Sequence, residues 1–188
     1  MKNRRTILVT FLILAALVMG AAYAALTDNL FIKGEATLAT TSAQTNFDED
    51  VYFTTAAVAS TTGTNTATAD SAVIGQTDKD SATFYVKSLG QADEKVTFSF
   101  VIKNTSTEFD AEVSLDTGYP TTTNTTLFTI TYSIVNDGTV NEGPITVAAG
   151  GTATVYVTVL LKASPTENST AAFNVNLTAT SAPKAVAP

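Results

Sequence analysis

Four stretches of the chain alternate apolar and polar residues with a period of two, the spacing of strands that bury one face. In residues 95–103, Val96, Phe98, Phe100 and Ile102 share a face, with Thr97 and Ser99 opposite. In residues 127–135, Phe128, Ile130, Tyr132 and Ile134 alternate with Thr129, Thr131 and Ser133. Residues 153–162 set Val155, Val157, Val159 and Leu161 against Thr154, Tyr156 and Thr158. Residues 171–180 do the same with Phe173, Val175, Leu177 and Ala179 against Asn174, Asn176 and Thr178. A buried face backed by a solvated one is the pattern of antiparallel sheets. Threonine, frequent throughout, suits such half-buried pleated surfaces. Weaker strands fit at 51–58, 82–89 and 111–115. Turns are signalled at Asn136-Asp137-Gly138, Ala149-Gly150-Gly151 and Asp116-Thr117-Gly118-Tyr119-Pro120, where positive φ or a fixed turn costs little. Residues 60–70 and the tail 181–188 read as loops, and no stretch after residue 25 has a helical period. Seven or eight strands of this kind predict an all-β fold, an antiparallel jelly-roll-like β-sandwich.

One further strand precedes these. Leu30, Ile32, Gly34, Ala36 and Leu38 share a face, Phe31, Lys33, Glu35 and Thr37 share the other, and a polar stretch at 39–46 follows. This segment has two readings. It is the first strand of its own domain, or it is a donor strand that inserts into a neighbouring subunit and completes that subunit's sheet. The candidate donor residues are Leu30, Phe31, Ile32, Gly34, Ala36 and Leu38, and the pattern alone does not separate the readings.

The first 24 residues are of a different kind. Lys2, Arg4 and Arg5 form a basic start, residues 6–19 are apolar but for threonine, and small residues follow, ending in Ala22-Tyr23-Ala24. That order predicts a secretory signal peptide cut by signal peptidase between Ala24 and Ala25. A retained anchor is the second reading, because the apolar run reaches Leu26 when Gly and Ala are counted. A type IV pilin-like leader is the third, although Arg5 stands before Thr6 where such leaders carry a small residue. The division expected is 1–24 signal, 25–46 donor strand and linker, 47–181 sandwich domain and 182–188 tail, in a secreted or surface-displayed protein.

Charge narrows the partners. All 17 carboxylates lie beyond Ala24, against seven lysines and no arginine there, a balance of −10. Such a chain is poorly suited to neutralising phosphates, so no nucleic-acid partner is expected. The absence of histidine and cysteine excludes Ser-His-Asp and Cys-His triads and leaves a zinc site only carboxylates. There is no H-E-x-x-H and no Gly-rich phosphate loop. The chain therefore reads as a non-enzyme without a catalytic, cofactor or metal site. Asp48-Glu49-Asp50 and Asp78-Lys79-Asp80 offer oxygen ligands suited to calcium, but neither matches an EF-hand loop and both read as solvated acidic turns. Asn104, Asn124, Asn168 and Asn176 each begin a glycosylation sequon.

The leader running into Ala25-Leu26-Thr27-Asp28-Asn29-Leu30, followed by Ile32-Lys33-Gly34-Glu35-Ala36, resembles the TasA/camelysin family of biofilm-fibre proteins. So do residues 96–105, the Gly150-Gly151 turn feeding the strand through Val159, and the closing residues 172–180. The resemblance spans nearly the whole chain. It implies a jelly-roll subunit, trimmed by a dedicated signal peptidase, that polymerises head to tail into extracellular fibres of the biofilm-matrix or pilus kind. It further implies that the mature N-terminal segment, Ala25 to about Leu38, becomes a donor strand in the next subunit. Accessory fibre or matrix proteins would be further partners. Archaeal bundling pili share this architecture. The metallopeptidase activity associated with the same family finds no histidine here to support it. The alternative to a fibre subunit is a monomeric, surface-displayed sandwich that binds a ligand.

Overall fold

The alternating runs become the long strands of two packed sheets, and the apolar face of each becomes the core. The computed structural model describes residues 31–41, 47–64, 69–77, 79–116, 118–136, 138–141, 143–165 and 170–184. The expected signal segment 1–24, with the candidate cleavage residues Ala22, Ala24 and Ala25, lies outside the described residues, as does Leu30. In chain order the elements are β1 (Phe31–Thr41), the single helical turn α1 (Phe47–Asp50), β2 (Val51–Thr61), β3 (Ser71–Ile74), β4 (Ser81–Val86), β5 (Lys95–Asn104) and β6 (Phe109–Leu115). They continue with β7 (Thr121–Thr122), β8 (Phe128–Asn136), β9 (Thr139–Asn141), β10 (Ile145–Val147), β11 (Thr152–Leu161) and β12 (Thr170–Pro183). Among the described residues, no helix is long and apolar enough to cross a membrane.

One sheet has five strands in the order β2-β5-β11-β8-β9. The other has seven, in the order β10-β6-β12-β1-β4-β3, with β7 pairing β12 beside this path. The strict alternation in β5 and β11 buries Val96, Phe98, Phe100, Ile102, Ala153, Val155, Val157, Val159 and Leu161. From the other sheet Ala36, Leu38, Ala82, Phe84, Val86, Phe173, Val175, Leu177 and Ala179 face them. Six rings form the middle of this core. Phe84 lies against Phe98 with centroids 4.7 Å apart, Phe53 meets Phe100 at 6.0 Å, and Phe128 meets Phe173 edge-on at 5.6 Å.

The structure corrects the expected architecture in several places. Among the described residues there are twelve strands where seven or eight were expected, because β3, β7, β9 and β10 are two to four residues long and too short to display a period. β2 runs past the expected end at Val58 to Thr61, with register shifts between Phe53 and Thr55 and between Val58 and Ser60. Each bulge flips the alternation, which explains why its sequence signal is weak. Residues 181–183, read as tail, extend β12, with Pro183 opposite Phe109 at the strand's end, where a missing N–H is tolerated. One strand pair is parallel in a sandwich expected to be antiparallel: β1 runs alongside β12 from Phe31↔Thr170 to Thr41↔Thr180. The turn readings agree with the backbone, since Gly138 and Gly150 adopt φ of 78° and 76°, a region that favours glycine.

Candidate functional site

The candidate donor strand is the middle of the seven-stranded sheet of its own chain. β1 pairs with β12 on one side and, from Ile32↔Val86 to Thr37↔Ser81, antiparallel with β4 on the other. Its alternation decides which residues face inward. Gly34, Ala36 and Leu38 are buried, Lys33, Glu35 and Ala39 are exposed, and Thr37 is half-buried. Phe31 and Ile32 stand opposite Thr170 and Ala171 in the backbone register. Two polar contacts fix the strand along its length. Thr37 Oγ1 donates to Asn176 Oδ1 at 2.8 Å, and the Leu38 amide donates to the Asp80 carbonyl at 2.8 Å.

Gly34 is the tightest point of the slot. Its cross-strand partners are phenylalanines on both sides, Phe173 in β12 and Phe84 in β4. Those two rings stack on each other, 10° from parallel with centroids 6.5 Å apart, so they close over the glycine. A Cβ at position 34 would lie 2.0 Å from Cζ of Phe84. Glycine in a strand interior often marks such a close approach, and here the approaching group is an aromatic ring buried in the core. Register follows from the same contact, because a slip by two residues would bring Ala36 or Ile32 under the rings. Without β1 the sheet divides into β10-β6-β12 and β4-β3. The facing edges would lose their ladder partners, and Phe84, Val86, Phe173, Val175 and Leu177 would lose their cover.

The ends of the slot are held by polar side chains, of which the sequence singled out Asn104 only as the start of a sequon. Where β1 finishes, β2 begins: the Phe53 amide donates to the Lys79 carbonyl, beside the Asp80 carbonyl that takes Leu38. At this same end Asn104 is fully buried, and its Nδ2 donates to the carbonyls of Phe109 at 3.0 Å and Val147 at 3.1 Å. Its Oδ1 accepts the Ser106 amide, and buried Asp110 accepts the Ala149 amide at 2.8 Å. Asn104 thereby ties the end of β5 to β6 and β10 across the sandwich.

At the opposite end two carboxylates organise the loops after β2 and β4. Asp70 Oδ1 accepts the amides of Lys87 and Ser88, and its Oδ2 accepts the Ser88 hydroxyl. Glu94, buried in the same loop, accepts the amide and hydroxyl of Thr64 on one oxygen and the amides of Gly90 and Gln91 on the other. Burial pushes the Glu94 carboxyl up. The hydrogen bonds from Thr64, Gly90 and Gln91 outweigh it and hold the group below the ordinary value of 4.5. The signal that could have found this residue is slight, a glutamate in the Gln91-Ala92-Asp93-Glu94 stretch just before an alternating run.

The acidic groups weighed for calcium divide. Asp48, Glu49 and Asp50 belong to α1, where Asp50 accepts the Thr105 hydroxyl; Asp78 lies outside the described residues. Among the described residues, no three acidic side chains converge as a metal site would require. Of the sequons, Asn104 is sealed in the core, Asn176 accepts from Thr37 in mid-sheet, Asn124 Oδ1 accepts the Leu127 amide, and Asn168 lies outside the described residues. No protein-family model matches the chain, and no curated protein matches its sequence.

Proposed function

We propose that the chain is a structural subunit of an extracellular fibre, a jelly-roll-class sandwich whose copies join by passing β1 from one to the slot of another. The observation that carries this reading is the slot itself. A strand from the start of the described chain fills the centre of a sheet that has no continuous ladder without it. The absence of histidine and cysteine and the lack of converging acidic groups among the described residues direct the reading to a structural role. The resemblance to biofilm-fibre proteins and the secretory signal, both expected from the sequence alone, are consistent with this reading. Because β1 ends and β2 starts at the same Lys79-Asp80 turn, an exchanged strand brings the donor copy to that end of the acceptor. One-way exchange leaves an open contact that propagates, whereas mutual exchange closes a dimer.

A second reading is favoured by one observation, the pairing of β1 inside its own chain: a self-contained sandwich displayed on a surface as a binding module. Negative-stain microscopy and sedimentation of the chain, with and without residues 25–41, separate the two. Fibres that vanish on truncation are the expected result. A monomer at every concentration selects the binding module, and unchanged fibres after truncation would sink β1 as the exchanged strand.

A further inference from the structure

The outer face of the five-stranded sheet differs from the rest of this acidic molecule. None of its strands, β2, β5, β11, β8 or β9, contains an aspartate or glutamate. Its outward residues form rows across the sheet. Thr97, Thr158 and Thr131 stand in one row, with the Thr97 and Thr158 hydroxyls 2.9 Å apart. Ser99, Tyr156 and Ser133 form the next, and Val101, Thr154 and Val135 the one after, continued by Val140, which is 66% exposed. Tyr156 is at the centre in both directions. β11 is the third of five strands, and the row of Tyr156 is flanked by two rows on each side. Between its two serine neighbours Tyr156 is half-buried.

We propose that this face is an interface between two copies of the chain, related by a two-fold axis through Tyr156. Two arguments select a second copy as the occupant. The first is area. Four long strands about 4.8 Å apart and nine residues at ~3.3 Å give a flat footprint of about 600 Å². Side-chain relief brings this towards the ~800 Å² per partner of a stable interface. The second is charge. With a balance of −10 beyond residue 24, two copies repel wherever carboxylates meet, and this broad face lets them approach without any. Lys95 and Lys162 lie at one end of it, and Lys103 lies at the other, beside exposed Glu49 with Asp50 immediately before β2. With the two-fold axis lying along the rows through Tyr156, Lys95 of each copy comes to the end of its partner that holds Lys103 together with Glu49 and Asp50. The same operation lays the threonine row against the Val101-Thr154-Val135 row, so β-branched side chains face each other as in stacked sheets. An isologous contact of this kind closes after two copies and is independent of β1.

The test is sedimentation velocity of the purified chain across concentration, with microscopy alongside. Wild type is expected to form dimers, or doubled filaments where filaments form. Tyr156→Glu, which sets like charges against each other at the axis, should weaken the pair at least tenfold, as should Thr131→Glu at an exposed position. Thr180→Glu, exposed on the other sheet, should leave it unchanged. Thermal melting guards against misfolding, and agreement of the two variants carries the result if one of them unfolds. If neither variant changes the association, the proposal is overturned. A monomeric wild type overturns it too, as does a monomer whose face instead binds the anionic polysaccharide alginate through Lys95. Single filaments from Tyr156→Glu support the pair and keep the fibre reading. A Tyr156-dependent dimer without filaments supports the pair and removes the fibre.

Discussion

In the five-stranded sheet, three neighbouring strands of nine or ten residues, β5, β11 and β8, pair with one another in uninterrupted antiparallel register. In the seven-stranded sheet the two halves meet only through β1, a strand parallel to one neighbour and antiparallel to the other. The outward faces differ in the same sense. The first sheet presents hydroxyls and β-branched side chains, while β1 and β6 carry Glu35 and Glu112 outward on the second. A sheet assembled from long mutual ladders tolerates change on its outer surface. A sheet that depends on one inserted strand concentrates its sensitivity in the fit of that strand, and Gly34 is where the fit is closest.

The largest effect should therefore come from Gly34→Val. A Cβ placed 2.0 Å from the Phe84 ring cannot be absorbed without moving β1 or the ring, both packed in the core. Overpacking of this kind costs about 3 kcal/mol or more. Guanidinium unfolding would measure it, and Phe84→Ala in the same chain should make the glycine substitution less costly than it is alone. Adding a side chain of similar size on the outer face of the other sheet, Ser99→Val, should change stability by less than about 0.5 kcal/mol. Equal losses at the two positions would break the comparison.

Next in size is Asn104→Ala, which removes the tie between the sheets. It leaves the carbonyls of Phe109 and Val147 without their buried donor, a loss of about 2–3 kcal/mol in the same unfolding experiment. Smaller again is the contribution of Glu94, and it depends on pH. A carboxyl whose folded pKa is depressed stabilises the fold above its unfolded value and loses that contribution as pH falls through the folded value. Stability should thus decline below about pH 4.5, and Glu94→Gln should lower stability at neutral pH by about 1–2 kcal/mol while flattening that decline. A steeper acid decline in the variant would contradict this account. The smallest change expected is Thr97→Val, which removes the hydroxyl contact with Thr158 and costs about 0.2–1 kcal/mol.

Much of the sandwich was legible in the sequence because β5, β8, β11 and β12 keep their alternation for nine residues or more. β2 was less so, since two bulges interrupt its period, and β3, β7, β9 and β10 are too brief to have one. Gly34 was recognised as part of a strand face, but the stacked rings over it come from residues 84 and 173, and no local pattern joins them. Glu94 and Asp70 were missed for the same reason: the amides that make them structural belong to residues brought near by folding. The parallel pairing of β1 with β12 could not be read either, because two amphipathic strands carry no mark of their relative direction.

That pairing also has a consequence in time. Thr37 and Asn176, which share a hydrogen bond, are 139 residues apart in the chain. At ~5–20 residues per second of synthesis, roughly 7–28 s separate the appearance of the two. Contacts this distant in sequence are also slow to close, since the entropy of the loop must be overcome first. The strand made first thus waits longest for its own partner. Throughout that interval, the rate at which its own slot forms competes with the concentration of slots already open on other copies, so crowding of newly made chains would decide which one it fills.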